Sequence, residues 1–142
     1  MQTIDHWFKR YGESHRNPTN KLIHWICVPL ITWSALALLW AWTPVAALVV
    51  VAAALGFYGF VSVPIALGML GVVAAMAYPL ARLERPTLFL VGAAVFVLAW
   101  IGQFIGHRIE GRKPSFLDDI KFLLIGPAWL LGFIYRSLRI PY

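Results

Sequence analysis

The sequence predicts an all-α integral membrane protein with four transmembrane helices, an N-terminal amphipathic helix and a C-terminal re-entrant or interfacial helix. Three observations lead to this fold class. The chain of 142 residues is 61% hydrophobic and 13% charged, whereas soluble domains average about 25% charged residues. Its mean hydropathy is +0.75, and residues 22–81 contain no Lys, Arg, Asp or Glu. So short a soluble protein cannot bury such a stretch, and we expect a bilayer to cover it.

Four apolar segments are each close to the ~20 residues that a helix needs to cross the hydrocarbon core. We place these spans at about residues 21–42, 44–61, 63–82 and 87–107. Pro44, Pro64 and Pro86 mark the turns between them, because proline is tolerated at the start of a helix. A single membrane domain over residues 1–142 is enough for a chain of this length.

A shorter amphipathic helix is predicted over residues 3–13. Its apolar residues recur at helical spacing and are Ile4, Trp7, Phe8 and Tyr11. His6 falls on the opposite, polar face. We expect this helix to lie in the membrane interface rather than to cross the bilayer. The next segment, residues 14–20, is rich in turn residues, and Asn17 before Pro18 is a candidate cap for the first span. A retained first span is expected, because no cleavable secretory signal is visible.

The last apolar segment, residues 117–135, is too short for a further crossing. Only residues 122–135 are free of charge, and Gly126-Pro127 interrupts them. We therefore expect a re-entrant or interfacial helix. Asp118 and Asp119 are expected to favour the start of this helix through its dipole.

The distribution of basic residues predicts the orientation. With four spans, both termini lie on one side, and that side carries ten of the twelve basic residues. These are Lys9, Arg10, Arg16, Lys21, Arg108, Arg112, Lys113, Lys121, Arg136 and Arg139. The other side keeps Arg82 and Arg85, so both termini are predicted to be cytoplasmic. The net charge of +6 does not indicate nucleic-acid binding, since the basic residues flank apolar spans. With Cys27 as the only cysteine, no intrachain disulfide forms, and the oligomeric state is not indicated.

Three of the four histidines are predicted to meet at the cytoplasmic side. His15 precedes the first span, His24 lies near its start, and His107 ends the fourth span. Three imidazoles leave positions open on a metal ion, which is typical of a catalytic site. The alternative is that each histidine bonds a lipid headgroup or a helix end. His6 faces away from the apolar side of its helix, and we expect no metal there.

Polar residues near His107 extend this candidate site. Gln103, His107 and Glu110 share one face of a continuing helix. Glu110 is a candidate metal ligand, a candidate partner that orients a ligating imidazole, or one half of an ion pair at the helix end. Arg112 and Lys113 are candidates to receive an acidic substrate. The alternative for both is positive-inside topology or phospholipid binding, and we favour that alternative for Lys113.

Two stretches resemble a known membrane family. The first runs Tyr11-Gly-Glu-Ser-His15-Arg-Asn17-Pro18-Thr-Asn20, with His24 and Pro29 beyond it. The second runs Trp100-Ile-Gly-Gln103-Phe104-Ile-Gly106-His107, with Glu110, Arg112, Pro114 and Asp118 beyond it. The chain resembles, over about residues 7–135, the small family that includes the fungal 2-hydroxy fatty acid α-dioxygenases of phytosphingosine breakdown.

This resemblance implies an Fe(II)-dependent dioxygenase that uses O₂ to shorten a 2-hydroxy fatty acid by one carbon. It makes His15, His24 and His107 the catalytic metal ligands, with Glu110 as a further catalytic candidate. It also adds Tyr11, Asn20 and Gln103 to Arg112 and Lys113 as candidate substrate-binding residues. The sequence departs from the fungal pattern, since Arg16 stands in place of a second histidine and the stretch from His107 to Pro114 is one residue shorter.

These departures are typical of a bacterial branch, which implies the bacterial inner membrane. The main alternative function is non-enzymatic, namely a membrane scaffold or lipid-binding protein whose basic rim holds anionic headgroups. A bis-histidine haem protein is a third interpretation, although haem ligands usually face each other from within spans.

Overall fold

The computed structural model describes residues 3–117 and 120–142. Within these ranges the chain is helical and has no strand, which confirms the predicted fold class. Its elements are α1 (Ile4–Gly12), α2 (Pro18–Trp42), α3 (Pro44–Val61), α4 (Val63–Arg82), α5 (Arg85–Glu110), a single 3-10 turn (Ser115–Leu117) and α6 (Phe122–Ser137). Asp118 and Asp119, which we expected to favour the start of the last helix, lie outside the described residues.

The four longest helices, α2 to α5, are long and apolar enough to cross a membrane, as predicted. Two of them extend beyond the predicted spans at the histidine end. Asn17 caps α2, since its side chain accepts hydrogen bonds from the backbone N–H groups of Thr19 and Asn20, and Pro18 occupies the first helical position. At the other boundary, α5 continues to Glu110 and ends at Gly111, whose φ of 77° suits glycine.

Glycines on α5 allow α2 to approach it closely. A Cβ at Gly92 would lie 3.1 Å from the Cβ of Ala37, and one at Gly102 would lie 2.8 Å from the Sγ of Cys27. A Cβ at Gly106 would overlap the Oδ1 of Asn20. Such small residues let helix backbones pack tightly in lipid, where no hydrophobic effect drives association. This packing brings the start of α2 and the end of α5 together.

We expect Gly106→Ala to lower the thermal midpoint of the protein in detergent. The added methyl group must displace the buried Asn20 side chain and crowd Ile23 of α2, which costs about 1–3 kcal/mol. Gly59→Ala is the matched control, because no described atom other than its own helix lies within 4 Å of the added Cβ. Alanine there should be neutral or slightly stabilising. Equal thermal midpoints for the two variants would contradict the close contact of α2 with α5.

The last helix, α6, lies across the histidine end of the bundle. Near its start, the carbonyl of Leu124 accepts a hydrogen bond from the Tyr58 hydroxyl at 2.5 Å. Near its end, the Tyr135 hydroxyl donates to the carbonyl of Pro64 at 2.6 Å. Tyr58 is near the end of α3 and Pro64 is at the start of α4, so both contacts fall at the end of the bundle where α2 begins. These two contacts anchor α6 at the histidine end of the bundle.

The predicted amphipathic helix α1 packs on α6. Its apolar face is buried, with the rings of Trp7 and Phe122 centred 5.4 Å apart and those of Tyr11 and Trp129 5.2 Å apart. The helix and its polar face are confirmed, and His6 is exposed. The apolar face, however, is covered by α6, because the aromatic side chains of α6 offer it a complementary surface. This contact fixes Tyr11 and the loop that follows it.

Candidate metal centre

Three histidines from distant parts of the chain form one buried cluster where α2 begins and α5 ends. The ring centroids of His15 and His24 are 4.3 Å apart, and those of His15 and His107 are 4.7 Å apart. Each of the three side chains is at most 3% exposed. The convergence that topology predicted is therefore present in the fold.

One ring nitrogen of His15 has a free lone pair. Its Nδ1 lies 2.8 Å from the carbonyl oxygen of Tyr11, and since a carbonyl only accepts, Nδ1 carries the proton. The lone pair is then on Nε2, which is buried and has no hydrogen-bond partner among the described residues. Burial lowers the pKa of His15 to about 4, so the ring is neutral at pH 7. A neutral imidazole oriented by a backbone carbonyl is the usual state of a metal-ligating histidine.

His24 is held between Tyr11 and Gln103. Its Nε2 is 3.0 Å from the Tyr11 hydroxyl, and its Nδ1 is 3.0 Å from the side-chain nitrogen of Gln103. The same Gln103 nitrogen is 3.5 Å from Nε2 of His107. Burial raises the pKa of Tyr11, which keeps its hydroxyl protonated. Tyr11 and Gln103, predicted as substrate-binding residues, thus contact the histidines directly.

The donor set fits a transition-metal ion by its chemistry, since imidazole suits iron, zinc, copper and nickel. The Nδ1 of His107 is likewise buried and has no hydrogen-bond partner in the described part of the chain. Even so, no three His, Cys, Asp or Glu side chains of the described residues already stand in a metal-binding arrangement. Both nitrogens of His24 are within hydrogen-bond distance of a neighbour, Nε2 of Tyr11 and Nδ1 of Gln103. Metal binding by all three rings therefore requires His24 to exchange one hydrogen bond for the metal.

Glu110 joins the end of α5 to the loop that carries His15. Its Oε1 accepts a hydrogen bond from the backbone N–H of Arg16 at 2.9 Å. Its Oε2 accepts from the backbone N–H of Asn17 at 2.7 Å and from the side chain of Asn20 at 3.2 Å. We call these three contacts the Glu110 bridge. Of the three roles that the sequence left open for Glu110, these contacts are most similar to that of a residue that orients a metal ligand. Glu110, however, holds the backbone that follows His15 and not an imidazole ring.

Asn20 belongs to the same network. The resemblance made it a candidate substrate-binding residue, and the structure buries it completely. Its side-chain nitrogen donates to the carbonyl of Ser14 at 3.1 Å as well as to Glu110. Asn20, at the start of α2, thus binds both Ser14, the residue before His15, and the carboxylate of Glu110.

Two residues beside the cluster were not predicted. The ring of Trp129 on α6 is centred 5.3 Å from His15 and 5.4 Å from His24. The hydroxyl of Ser14 lies 3.3 Å from Nδ1 of His15. Ser14 is adjacent to a candidate histidine, which was a usable signal. Trp129 has no such signal, because only the placement of α6 across the bundle brings it to the site.

A small cavity adjoins the cluster. It has a volume of about 50 Å³, and its walls include Tyr11, Gln103 and His107. Arg112 and Lys113 follow the end of α5 and are exposed. The backbone N–H of Arg112 donates to the carbonyl of His107 at 3.2 Å. The site therefore combines buried nitrogen donors, an adjacent space and exposed basic side chains beyond it.

The comparison with known proteins bears on this site. The family described as 2-hydroxy-palmitic acid dioxygenase Mpo1-like matches residues 1–138. A relative from Saccharomyces cerevisiae (strain ATCC 204508 / S288c), named 2-hydroxy-palmitic acid dioxygenase MPO1, is 29% identical over 129 residues, which cover 85% of this chain and 73% of the relative. No solved structure matches. The family match includes every element of the histidine cluster and confirms the resemblance. The chain therefore belongs to the Mpo1-like family.

Proposed function

We propose that this protein is an Fe(II)-dependent dioxygenase that converts a 2-hydroxy fatty acid and O₂ to the fatty acid one carbon shorter. The observation that carries the proposal is the buried cluster of His15, His24 and His107 at the end of an apolar helical bundle. Family membership and the name of the yeast relative support the same reaction. Both termini are proposed to lie in the cytoplasm, with the bundle in a bacterial inner membrane.

The proposed reaction balances without a further reductant. The 2-hydroxy acid and O₂ give the shortened acid, CO₂ and water. The bond between the carboxyl carbon and C2 breaks, and C2 becomes the new carboxyl carbon. The substrate loses four electrons and O₂ accepts all four, so neither a 2-oxoacid nor an external reductant is needed.

His15, His24 and His107 would hold the iron, which supplies open positions where O₂ and the substrate bind together. Tyr11 and Gln103 orient the ring of His24, and the Tyr11 carbonyl keeps the proton of His15 on Nδ1. The Glu110 bridge holds the loop that carries His15. Burial excludes bulk water from the cluster, which protects reactive species from side reactions.

Metal content tests this proposal against the lipid-binding alternative. The protein is purified without oxygen in detergent, loaded with Fe(II), desalted and analysed for metal. We expect iron in equimolar amount with the chain and no Soret band. Absence of bound iron would contradict the dioxygenase and leave the non-enzymatic alternative, in which the basic rim holds anionic headgroups.

Arg112 is the proposed contact for the substrate carboxylate. We expect Arg112→Ala to raise KM for the 2-hydroxy acid about tenfold, because a charge-assisted hydrogen bond contributes on the order of 1.5 kcal/mol. The value of kcat should stay nearly unchanged, since such a contact binds substrate and transition state alike. Arg108→Ala is the control, because Arg108 lines the outer side of α5. Equal KM values for the two variants would exclude this role of Arg112.

A further inference from the structure

A second cavity adjoins the small cavity beside the histidines. It lies between α2, α4 and α6 and has a volume of about 140 Å³. Val28, Thr32 and Pro127 line both cavities. The two spaces therefore lie on either side of one contact between α2 and α6. We call the second space the acyl groove.

Prolines explain why α2 and α6 leave this space. Pro29 lies inside α2 and Pro127 lies inside α6, and both line the acyl groove. A proline within a helix lacks the N–H that its turn needs and bends the helix. Because a proline disfavours straight, regular helix packing, we expect α2 and α6 to leave a gap where both prolines line the wall.

The walls of the acyl groove are apolar. The described residues that line it include no Lys, Arg, Asp or Glu. Thr32 is the polar exception, and its hydroxyl is satisfied by the carbonyl of Val28 at 2.9 Å. Met69, Val72 and Met76 of α4 are spaced as one helix face and extend ~10 Å along the axis. Methionine adapts its shape to irregular or flexible partners.

The groove leads from the histidine end into the apolar part of the bundle. Met69 lies in the second turn of α4, which starts at the histidine end, and Met76 lies two turns further along. Trp25 and Ile134 at the groove are 39% and 44% exposed, so the groove is open toward the surrounding lipid. The first cavity, at about 50 Å³, is far below the ~300 Å³ of common ligand pockets. A long chain bound at the histidines must therefore continue elsewhere.

We propose that the acyl groove holds the hydrocarbon chain of the 2-hydroxy acid. The carboxylate end lies beside Gln103 and His107, the chain passes Thr32, and its tail follows the face of α4 from Met69 to Met76. This inference rests on the proposed function, because that function supplies the polar end of the ligand. The shared wall of Val28, Thr32 and Pro127 favours a substrate chain over an annular lipid, since only a ligand anchored at the histidines would occupy the spaces on both sides of it.

Photo-cross-linking tests the groove without turnover. The probe is 2-hydroxyhexadecanoic acid with a terminal diazirine, added to the full-length protein in phospholipid nanodiscs without iron or O₂. We expect labelling concentrated on residues 69–76 of α4 and suppressed by unlabelled 2-hydroxyhexadecanoic acid. Labelling spread evenly over the outer faces of all the long helices, and insensitive to the competitor, would overturn the groove.

Val72→Trp tests it through chain-length preference. Tryptophan should fill the groove and lower the ratio of turnover of long to short 2-hydroxy acids about tenfold. Val97→Trp is the matched control, because Val97 is 56% exposed on the outer side of α5. An unchanged ratio in a folded Val72→Trp protein would overturn the inference. Focused labelling without turnover of any acid by the wild type would leave the groove in place and refute the proposed reaction.

Discussion

His24→Ala and His107→Ala should each lose bound iron and reduce turnover of the 2-hydroxy acid by more than about 100-fold. Changes to groups that only support a metal ligand already cost about 10–100-fold, and loss of a ligand costs more. His107 contributes a buried nitrogen that has no partner in the described part of the chain. His24 is held between Tyr11 and Gln103, and its ring centroid is 4.3 Å from that of His15. Iron content after anaerobic purification and the yield of shortened acid check the prediction.

His6→Ala is the matched control for these variants. His6 is exposed on the polar side of α1, so its loss should change neither iron content nor turnover. Because alanine at a buried site also leaves a cavity, helical content and elution in detergent should be compared for all three variants. A folded His24→Ala or His107→Ala protein that keeps equimolar iron would contradict the proposed ligand set.

Glu110→Gln should weaken metal binding about 10–100-fold while the helices remain folded. Glutamine offers one acceptor oxygen, whereas the Glu110 bridge uses two to hold the backbone of Arg16 and Asn17. The loop that carries His15 then loses part of its attachment to α5. Titration with Co(II), followed by its visible absorption, measures the affinity. Glu84→Gln, at the opposite end of α5, should leave the affinity unchanged.

The Co(II) spectrum separates positioning from ligation. If Glu110 positions the loop, the Glu110→Gln protein saturated with Co(II) has the wild-type spectrum, and saturation only requires a higher Co(II) concentration. If Glu110 is a ligand, the spectrum itself changes because the coordination sphere changes. A changed spectrum at saturation would contradict the role that the Glu110 bridge assigns to this residue.

The apolar spans and the meeting of the histidines were predictable because both follow from topology. An uncharged stretch over residues 22–81 requires lipid, and four crossings return His107 to the side of His15. The cap at Asn17 was also readable, because an asparagine before a proline is a local signal. Such features depend on residues near each other in sequence, or on whether the number of membrane crossings between two residues is even or odd.

Contacts between distant elements were not predictable in the same way. The aromatic face of α1 is equally suited to lipid or protein, and only the position of α6 decides that it packs on protein. Glu110 reaches residues more than ninety positions away, which no spacing rule reports. Its carboxylate had three chemically sensible roles, and its contacts with the folded loop favour positioning. Trp129 is likewise brought to the site only by the position of α6, which no local sequence signal reports.

Product analysis with the iron-loaded wild-type protein tests the proposed dioxygenase reaction directly. The protein is incubated with 2-hydroxyhexadecanoic acid and O₂, without 2-oxoacid or reductant, and the acids, CO₂ and O₂ consumption are quantified. We expect pentadecanoic acid and CO₂ in equal amounts, with one O₂ consumed for each molecule of acid formed. Recovery of the unchanged hydroxy acid from protein that holds equimolar iron, or a requirement for an external reductant, would contradict the proposed reaction.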